Sequence, residues 1–199
     1  MFPSHDRGAG YDENPDVAIF PDWSIGTMEV PEKCIPKFGM DFGFSNDPNA
    51  VIKLYLIEEA DTIYVVEEAY GKHVPNRYLP DLLDGINDIR EYPITADSAR
   101  PETIEYLNSK AFNVFGARKG AGSVKNGINF IQGYHLLVHP QCVNFAEEVR
   151  TYRWATDPSG KPLPMPLDHQ DDHGIDAARY ALEDDATNYI DDENSVVMI

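Results

Sequence analysis

The sequence predicts an α/β protein, a central mixed β-sheet flanked by helices with a β-hairpin inserted before the last helix. Three observations predict it. Three strand-like runs follow one another between residues 37 and 70. After them, short apolar runs alternate with segments whose apolar residues recur every three or four positions. Near the C-terminal end the turn signal "DPSGKP" separates two extended pieces.

Residues 1–32 are rich in Pro, Gly and Asp and keep no period, so they read as an extended arm or linker remnant. The folded unit is expected over residues 33–183, followed by an acidic tail over 184–199. "KFGMDFGF" is a short apolar run broken by Asp41. "AVIKLYLIEE" and "TIYVVEEAY" are β-branched and aromatic, which suits three strands in antiparallel meander order. In "VPNRYLPDLLDGINDI" the residues Leu79, Leu82, Leu83, Ile86 and Ile89 fall at helical spacing, with Pro80 near the first turn. "YPITAD" is a short buried strand ending in Asp97. "RPETIEYLNSK" is a helix, with Pro101 suited to its first position and Glu102 and Glu105 to its first turns. "FNVFGA" and "HLLVH" read as strands, "SVKNGINFIQGY" and "CVNFAEEVRTY" as helices, and "HGIDAARYALE" as the closing helix.

At 199 residues one domain is expected, and a 42% hydrophobic content with 11 Tyr and 9 Phe is enough for a substantial core. No apolar run approaches the ~20 residues that span a bilayer, and the N-terminus lacks a basic segment followed by an apolar one. The expectation is a soluble, intracellular protein that is neither secreted nor membrane-bound. Cys34 and Cys142 form no CxxC pair and read as ordinary thiols.

The net charge of −18 argues at first against a polyanionic partner. The acids, however, concentrate at the two ends. Tyr106 to Ala146 contain no acid and carry Lys110, Arg118, Lys119 and Lys125.

Three acids stand out by context. Asp41 interrupts the first strand of the meander, Asp97 ends a short apolar strand, and Asp176 lies one turn into the closing helix. Ligands favour the crevice at strand ends in open sheets, and carboxylates gathered there without Cys or His pairing suit hard, oxygen-preferring cations such as magnesium or manganese. A pair of such ions serves phosphoryl transfer. The plain alternative is that each acid is a turn or cap residue, and that Asp97 caps the helix after it. With 34 acids in the chain, spacing alone leaves both readings open.

Four segments together resemble the nuclease domain of the large terminase subunit of tailed bacteriophages, which has an RNase H-like fold. They are "GMDFGFSNDPNAV", "ITADSARPETIEYL", "FNVFGARKGAGSVKNGI" and "YRWATDPSGKPLPMPLDHQDDHGIDAARYAL", over about residues 37–182. The resemblance implies that Asp41, Asp97 and Asp176 hold two divalent cations, Mg2+ or Mn2+. It gives His173 a secondary role beside them, and Asp172, which stands where the family often has Asn, a possible ligand role. It places "PSGKP" in a hairpin at the mouth of the active site, and it makes Arg118, Lys119, Lys125 and Lys161 candidates for contacts to DNA.

The activity implied is metal-dependent endonucleolytic cleavage of concatemeric viral DNA during packaging, in the cytoplasm of the infected bacterium. The partners implied are double-stranded DNA, the terminase ATPase domain, the small terminase subunit and the portal protein. The full subunit of that family carries an ATPase motor, whereas no GxxxxGK[ST] loop occurs here and "ARKGAGSVKNG" has the wrong order. The chain therefore reads as an excised or separately encoded nuclease domain. Two alternatives remain at this level: a resolvase- or transposase-type nuclease of the same fold, and a non-catalytic module that docks on the portal or motor.

Overall fold

The computed structural model describes residues 17–43 and 47–196. Its sheet begins in a segment where the sequence gives no periodic signal. Trp23–Ile25 forms strand β1, anchored by Ile19 and Phe20, which are buried in the core. From Val17 onward, then, the expected arm belongs to the folded unit, whereas residues 1–16 lie outside the described ones. The meander follows as β2 (Lys37–Asp41), β3 (Pro48–Ile57) and β4 (Thr62–Lys72), paired antiparallel in that order.

The long helix expected after the meander shrinks to α1 (Leu79–Leu83). Ile86 and Ile89 are still buried, but Gly85 follows at once and Asp88 sits at φ 63°. The chain leaves the helix in turns while keeping its apolar side inward. Gly carries the largest helix penalty after Pro, which explains the early end.

The alternating part forms as expected. β5 (Ile94–Ala96), α2 (Pro101–Ser109), β6 (Val114–Gly116), α3 (Ser123–Gln132), β7 (His135–Val138) and α4 (Val143–Thr151) follow one another. The hairpin is β8 (Trp154–Thr156) and β9 (Pro162–Pro166). In its turn the Asp157 carboxylate accepts from the amides of Ser159 (2.8 Å) and Lys161 (3.0 Å), and Gly160 takes the left-handed conformation at φ 84°. The closing helix is α5 (His173–Ala181). The acidic segment after it is a further helix, α6 (Glu183–Val196), where a tail is expected. Residues 197–199 of that tail lie outside the described ones.

The seven-stranded sheet has the order β1-β7-β4-β3-β2-β5-β6 and is mixed, since β1, β7 and β4 pair in parallel, as do β2, β5 and β6. Each face carries its own apolar cluster. One contains Ile52, Val65, Leu136, Phe145, Ile175 and Ala177, from the sheet and helices α4 and α5. The other contains Phe38, Met40, Ile94, Ala96, Leu83 and Leu107, under α1 and α2. Among the described residues no helix is long and apolar enough to cross a membrane.

Candidate active site

Side chains alternate across a strand. Phe38 and Met40 of β2 belong to the cluster under α1 and α2, so Gly39 and Asp41 face α5. Gly39 is required there by close approach, because a Cβ at this position would collide with the backbone carbonyl of Ala177 in α5. The helix thus lies directly on β2, and its first turn hangs over the end of the strand, where Asp41 stands.

Parallel pairing supplies the second acid. Met40 is in register with Ala96, and the Asp97 amide donates to the Met40 carbonyl at 3.0 Å. Asp41 and Asp97 are therefore the next residues on two adjacent parallel strands, both on the α5 side. Asp97 accepts the amide of Ala99 at 2.9 Å, whereas α2 is capped by Arg100 without a side-chain bond. It is a turn residue and not the cap of the following helix. Asp176 enters from the first turn of α5.

The three acids converge, and each is met by one base. Asp41 Oδ2 lies 3.1 Å from His173 Nδ1. Asp97 pairs with Lys119, from the loop between β6 and α3. Asp176 Oδ1 accepts from Arg179 Nη2 at 2.6 Å and Nε at 3.1 Å. Burial pushes the Asp41 carboxyl above the usual carboxylate range. His173 opposes that shift, and the neighbouring Asp176 and Asp97 add to it. Burial, reinforced by Asp176, raises Asp172 to about 6. The hydrogen bond to Asp41 raises His173 against its own desolvation.

This donor set is three carboxylates with a fourth at Asp172 and one imidazole beside them. It is chemically fitted to a hard divalent cation. No group of three or more His, Cys, Asp or Glu side chains among the described residues forms a ready-made cage for one ion. The carboxylates are turned instead toward their basic partners.

The remaining candidates lie apart from these acids to different degrees. A cleft of about 740 Å³ between the Arg118–Gly127 segment, α5 and α6 has Asp176, Arg179, Lys119 and Arg118 in its walls. Arg118 is also held by Glu183 and Asp184 of α6. Lys125 is exposed on α3, and Lys161 is exposed in the hairpin turn.

Two residues of the site carry no plain sequence signal. Arg179 is 6% exposed, and only its i,i+3 spacing from Asp176 hints at the pair. Glu148 of α4 is 5% exposed. Its Oε2 accepts the amides of Gly174 (2.8 Å) and Ile175 (3.1 Å), and its Oε1 accepts the Tyr70 hydroxyl at 3.0 Å.

Residues 41–184 match the family model described as "Terminase RNAseH like domain". The chain is 31% identical over 151 residues to the large terminase subunit of Bacillus phage SPP1, an alignment covering 74% of this chain and 35% of that protein. It is 29% identical over 176 residues to the PBSX phage terminase large subunit of Bacillus subtilis strain 168, covering 84% and 40% respectively. It therefore spans well under half the length of these curated relatives. The solved nuclease domain of the SPP1 large terminase, with bound Mn, superposes with a TM-score of 0.74 at 28% identity, over 85% of this chain and 99% of that one.

Proposed function

The chain belongs to the family of terminase RNase H-like domains, and from that premise we propose that it is a metal-dependent endonuclease that cuts concatemeric viral DNA during genome packaging. Asp41, Asp97 and Asp176 are the residues that would hold two divalent cations, Mg2+ or Mn2+, with Asp172 as an additional ligand. When bound, such a pair of ions activates the attacking water and neutralises charge on the leaving 3′ oxygen.

The protein's own groups then have separate tasks. His173 Nδ1 fixes the orientation of the Asp41 carboxylate. Arg179 donates two hydrogen bonds to one oxygen of Asp176, Oδ1, which leaves Oδ2 available to a cation. Lys119 neutralises Asp97 and moves to a phosphate oxygen of the substrate. Arg118, Lys125 and Lys161 lie along the DNA path.

One observation carries this reading. Three carboxylates far apart in sequence are brought to one place by the β2–β5 register and by the close seating of α5 on Gly39. The manganese in the SPP1 domain supports it. The partners proposed are double-stranded DNA, a terminase ATPase domain, the small subunit and the portal, in the cytoplasm of the infected host. Asp41→Ala is expected to abolish manganese-dependent plasmid cleavage with the fold intact, and unchanged cleavage would sink the proposal.

A second reading, a non-catalytic docking module, is favoured by the pairing of each of Asp41, Asp97 and Asp176 with a basic side chain of the chain itself. Calorimetric titration with Mn2+ separates the two, because a docking module gives no binding heat that depends on Asp41. A resolvase- or transposase-type nuclease would prefer branched junctions to linear duplex.

A further inference from the structure

The N-terminus of α5 is capped in an unusual way, and the consequence falls on Asp172. Asp172 is the N-cap residue of that helix, and Asp at this position ordinarily turns its carboxylate back onto the amides two and three residues on. Here it makes no such bond. The amides of Gly174 and Ile175 are both taken by Glu148 Oε2, reaching across from α4 at 2.8 Å and 3.1 Å. Tyr70 of β4 clamps the other oxygen of Glu148 at 3.0 Å.

The approach is built into the sequence at Gly174. A Cβ there would collide with the Tyr70 hydroxyl and come within 3.1 Å of Glu148 Oε2. The same device recurs one step earlier. Glu68 of β4 accepts the amides of Asn144 (2.9 Å) and Phe145 (2.8 Å) at the start of α4, whose own N-cap, Cys142, makes no side-chain cap bond. The sheet thus caps α4, and α4 caps α5.

We propose that Glu148 is a positioning residue that caps α5 in place of Asp172 and so releases the Asp172 carboxylate to serve as a cation ligand beside Asp176 and Asp41. A single acid cannot cap the helix and face the cluster at once. With Glu148 shortened, the orphaned amides draw the Asp172 carboxylate back into the ordinary cap position, and the site loses one oxygen donor. The inference rests on the metal-binding reading above.

The test is calorimetric titration of Mn2+ into the folded chain. Glu148→Asp keeps the charge but falls one methylene short of the two amides, and it is expected to weaken Mn2+ binding about 10-fold, within the range typical of outer-shell partners. Glu148→Gln keeps the reach and an acceptor oxygen without the charge, and it is expected to bind within about twofold of the parent, as a hydrogen-bond role requires. In an Asp172→Ala background, Glu148→Asp is expected to cost nothing further, because the two act through one oxygen donor.

Parent-like affinity in Glu148→Asp overturns the proposal. So does a loss in Glu148→Gln equal to that in Glu148→Asp, since keeping the reach to the two amides would then make no difference. Losses that multiply in the double variant overturn it as well, because a purely structural weakening is independent of Asp172. A parent chain that binds no Mn2+, or an Asp41→Ala chain that binds it as well as the parent, rejects the underlying metal reading instead.

Discussion

Asp41 and Asp97 stand side by side on adjacent parallel strands because the Asp97 amide donates to the Met40 carbonyl at 3.0 Å, one residue beyond the Met40–Ala96 register pair. Two carboxylates on neighbouring strands, roofed by a helix that carries a third, make a costly arrangement for the protein alone. Burial and the neighbouring acids hold Asp41 above the ordinary carboxylate range.

That cost gives the first prediction. A carboxyl whose folded pKa is raised binds its proton more tightly in the folded state, so its ionised form lowers stability at higher pH. Asp41→Asn removes the charge and keeps a group that can bond His173. At pH 7.5 without metal, its melting temperature is expected to rise by about 2–4 °C, corresponding to roughly 1 kcal/mol in a domain of this size. The rise that Mn2+ produces in the parent should disappear. Scanning fluorimetry with and without MnCl2 reads both, and a Mn2+-induced shift that persists removes Asp41 from the ligand set.

Glu148 gives a pH prediction with a defined sign. Burial raises it to about 7, against the bonds from the Ile175 and Gly174 amides and the Tyr70 hydroxyl and the attraction of His173. Its folded value lies above its unfolded one, so the folded state holds the extra proton between about 4.5 and 7. The stability this group contributes is present at low pH and is lost as pH rises through 7. Glu148→Gln should flatten that slope and stabilise the chain at pH 8 relative to the parent, by up to an amount on the order of 3 kcal/mol. Urea unfolding at pH 5 and pH 8 checks it, and parallel pH dependences for the two proteins would count against it.

Gly39 is predicted to be intolerant of the smallest change. A Cβ would meet the carbonyl of Ala177, a backbone atom of a seated helix that cannot swing aside. Gly39→Ala is expected to cost at least the 1–3 kcal/mol typical of overpacking. It should also lift α5, with His173 and Asp176, away from Asp41, so cleavage falls more than stability does. Gly120, with open space around its would-be Cβ, is the control. Gly120→Ala should unfold at the parent's midpoint.

These predictions rest on features of unequal legibility. The meander and the α2–β6–α3–β7–α4 succession could be read because β-branched runs and helical spacing are local properties. Asp41, Asp97 and Asp176 could be singled out because an acid among apolar neighbours is locally anomalous. β1 could not be read, since three residues in a Pro- and Asp-rich stretch become a strand only through the burial of Ile19 and Phe20 and pairing with β7. α1 is shorter than its spacing predicts, because Ile86 and Ile89 keep helical spacing and burial although the helix stops at Leu83, just before Gly85. Glu148 was hidden because its partners, the Tyr70 hydroxyl and two backbone amides, come from distant elements.

The Arg179–Asp176 pair predicts a coupling that the sequence spacing only hints at. Arg179 is almost wholly buried, with the site acid as its carboxylate partner. Breaking a buried pair by removing one member costs about 3–5 kcal/mol. Asp176 is 27% exposed, which places Arg179→Met at the lower end of that range. The double variant Arg179→Met with Asp176→Asn should be less destabilised than the sum of the singles, because the second change removes the uncompensated charge. Chemical denaturation without metal measures this, and strict additivity would show that the pair is not coupled.

The last prediction concerns how the chain meets DNA. With a net charge of −18, affinity must come from a few basic contacts, each adding about −0.9 to the slope of log K against log salt. Of the acid-free stretch, Lys119 is engaged by Asp97 and Arg118 by Glu183 and Asp184 of α6. Lys125 remains exposed on α3. Lys125→Ala should make the slope shallower by roughly 1. Glu183→Gln with Asp184→Asn should act in the opposite sense, because it releases Arg118 for a phosphate and makes the slope steeper by roughly 1. Its cost in stability should be about 0.3–1 kcal/mol, as is typical of a first-turn acid. The Arg118–Asp184 pair is exposed and such pairs contribute little, while Glu183 is the less exposed of the two acids. Fluorescence anisotropy with a labelled duplex at several salt concentrations reads both slopes. If neutralising α6 left the slope unchanged, Arg118 would lie off the DNA path, and the basic stretch would be a solvated loop and not a phosphate-binding surface.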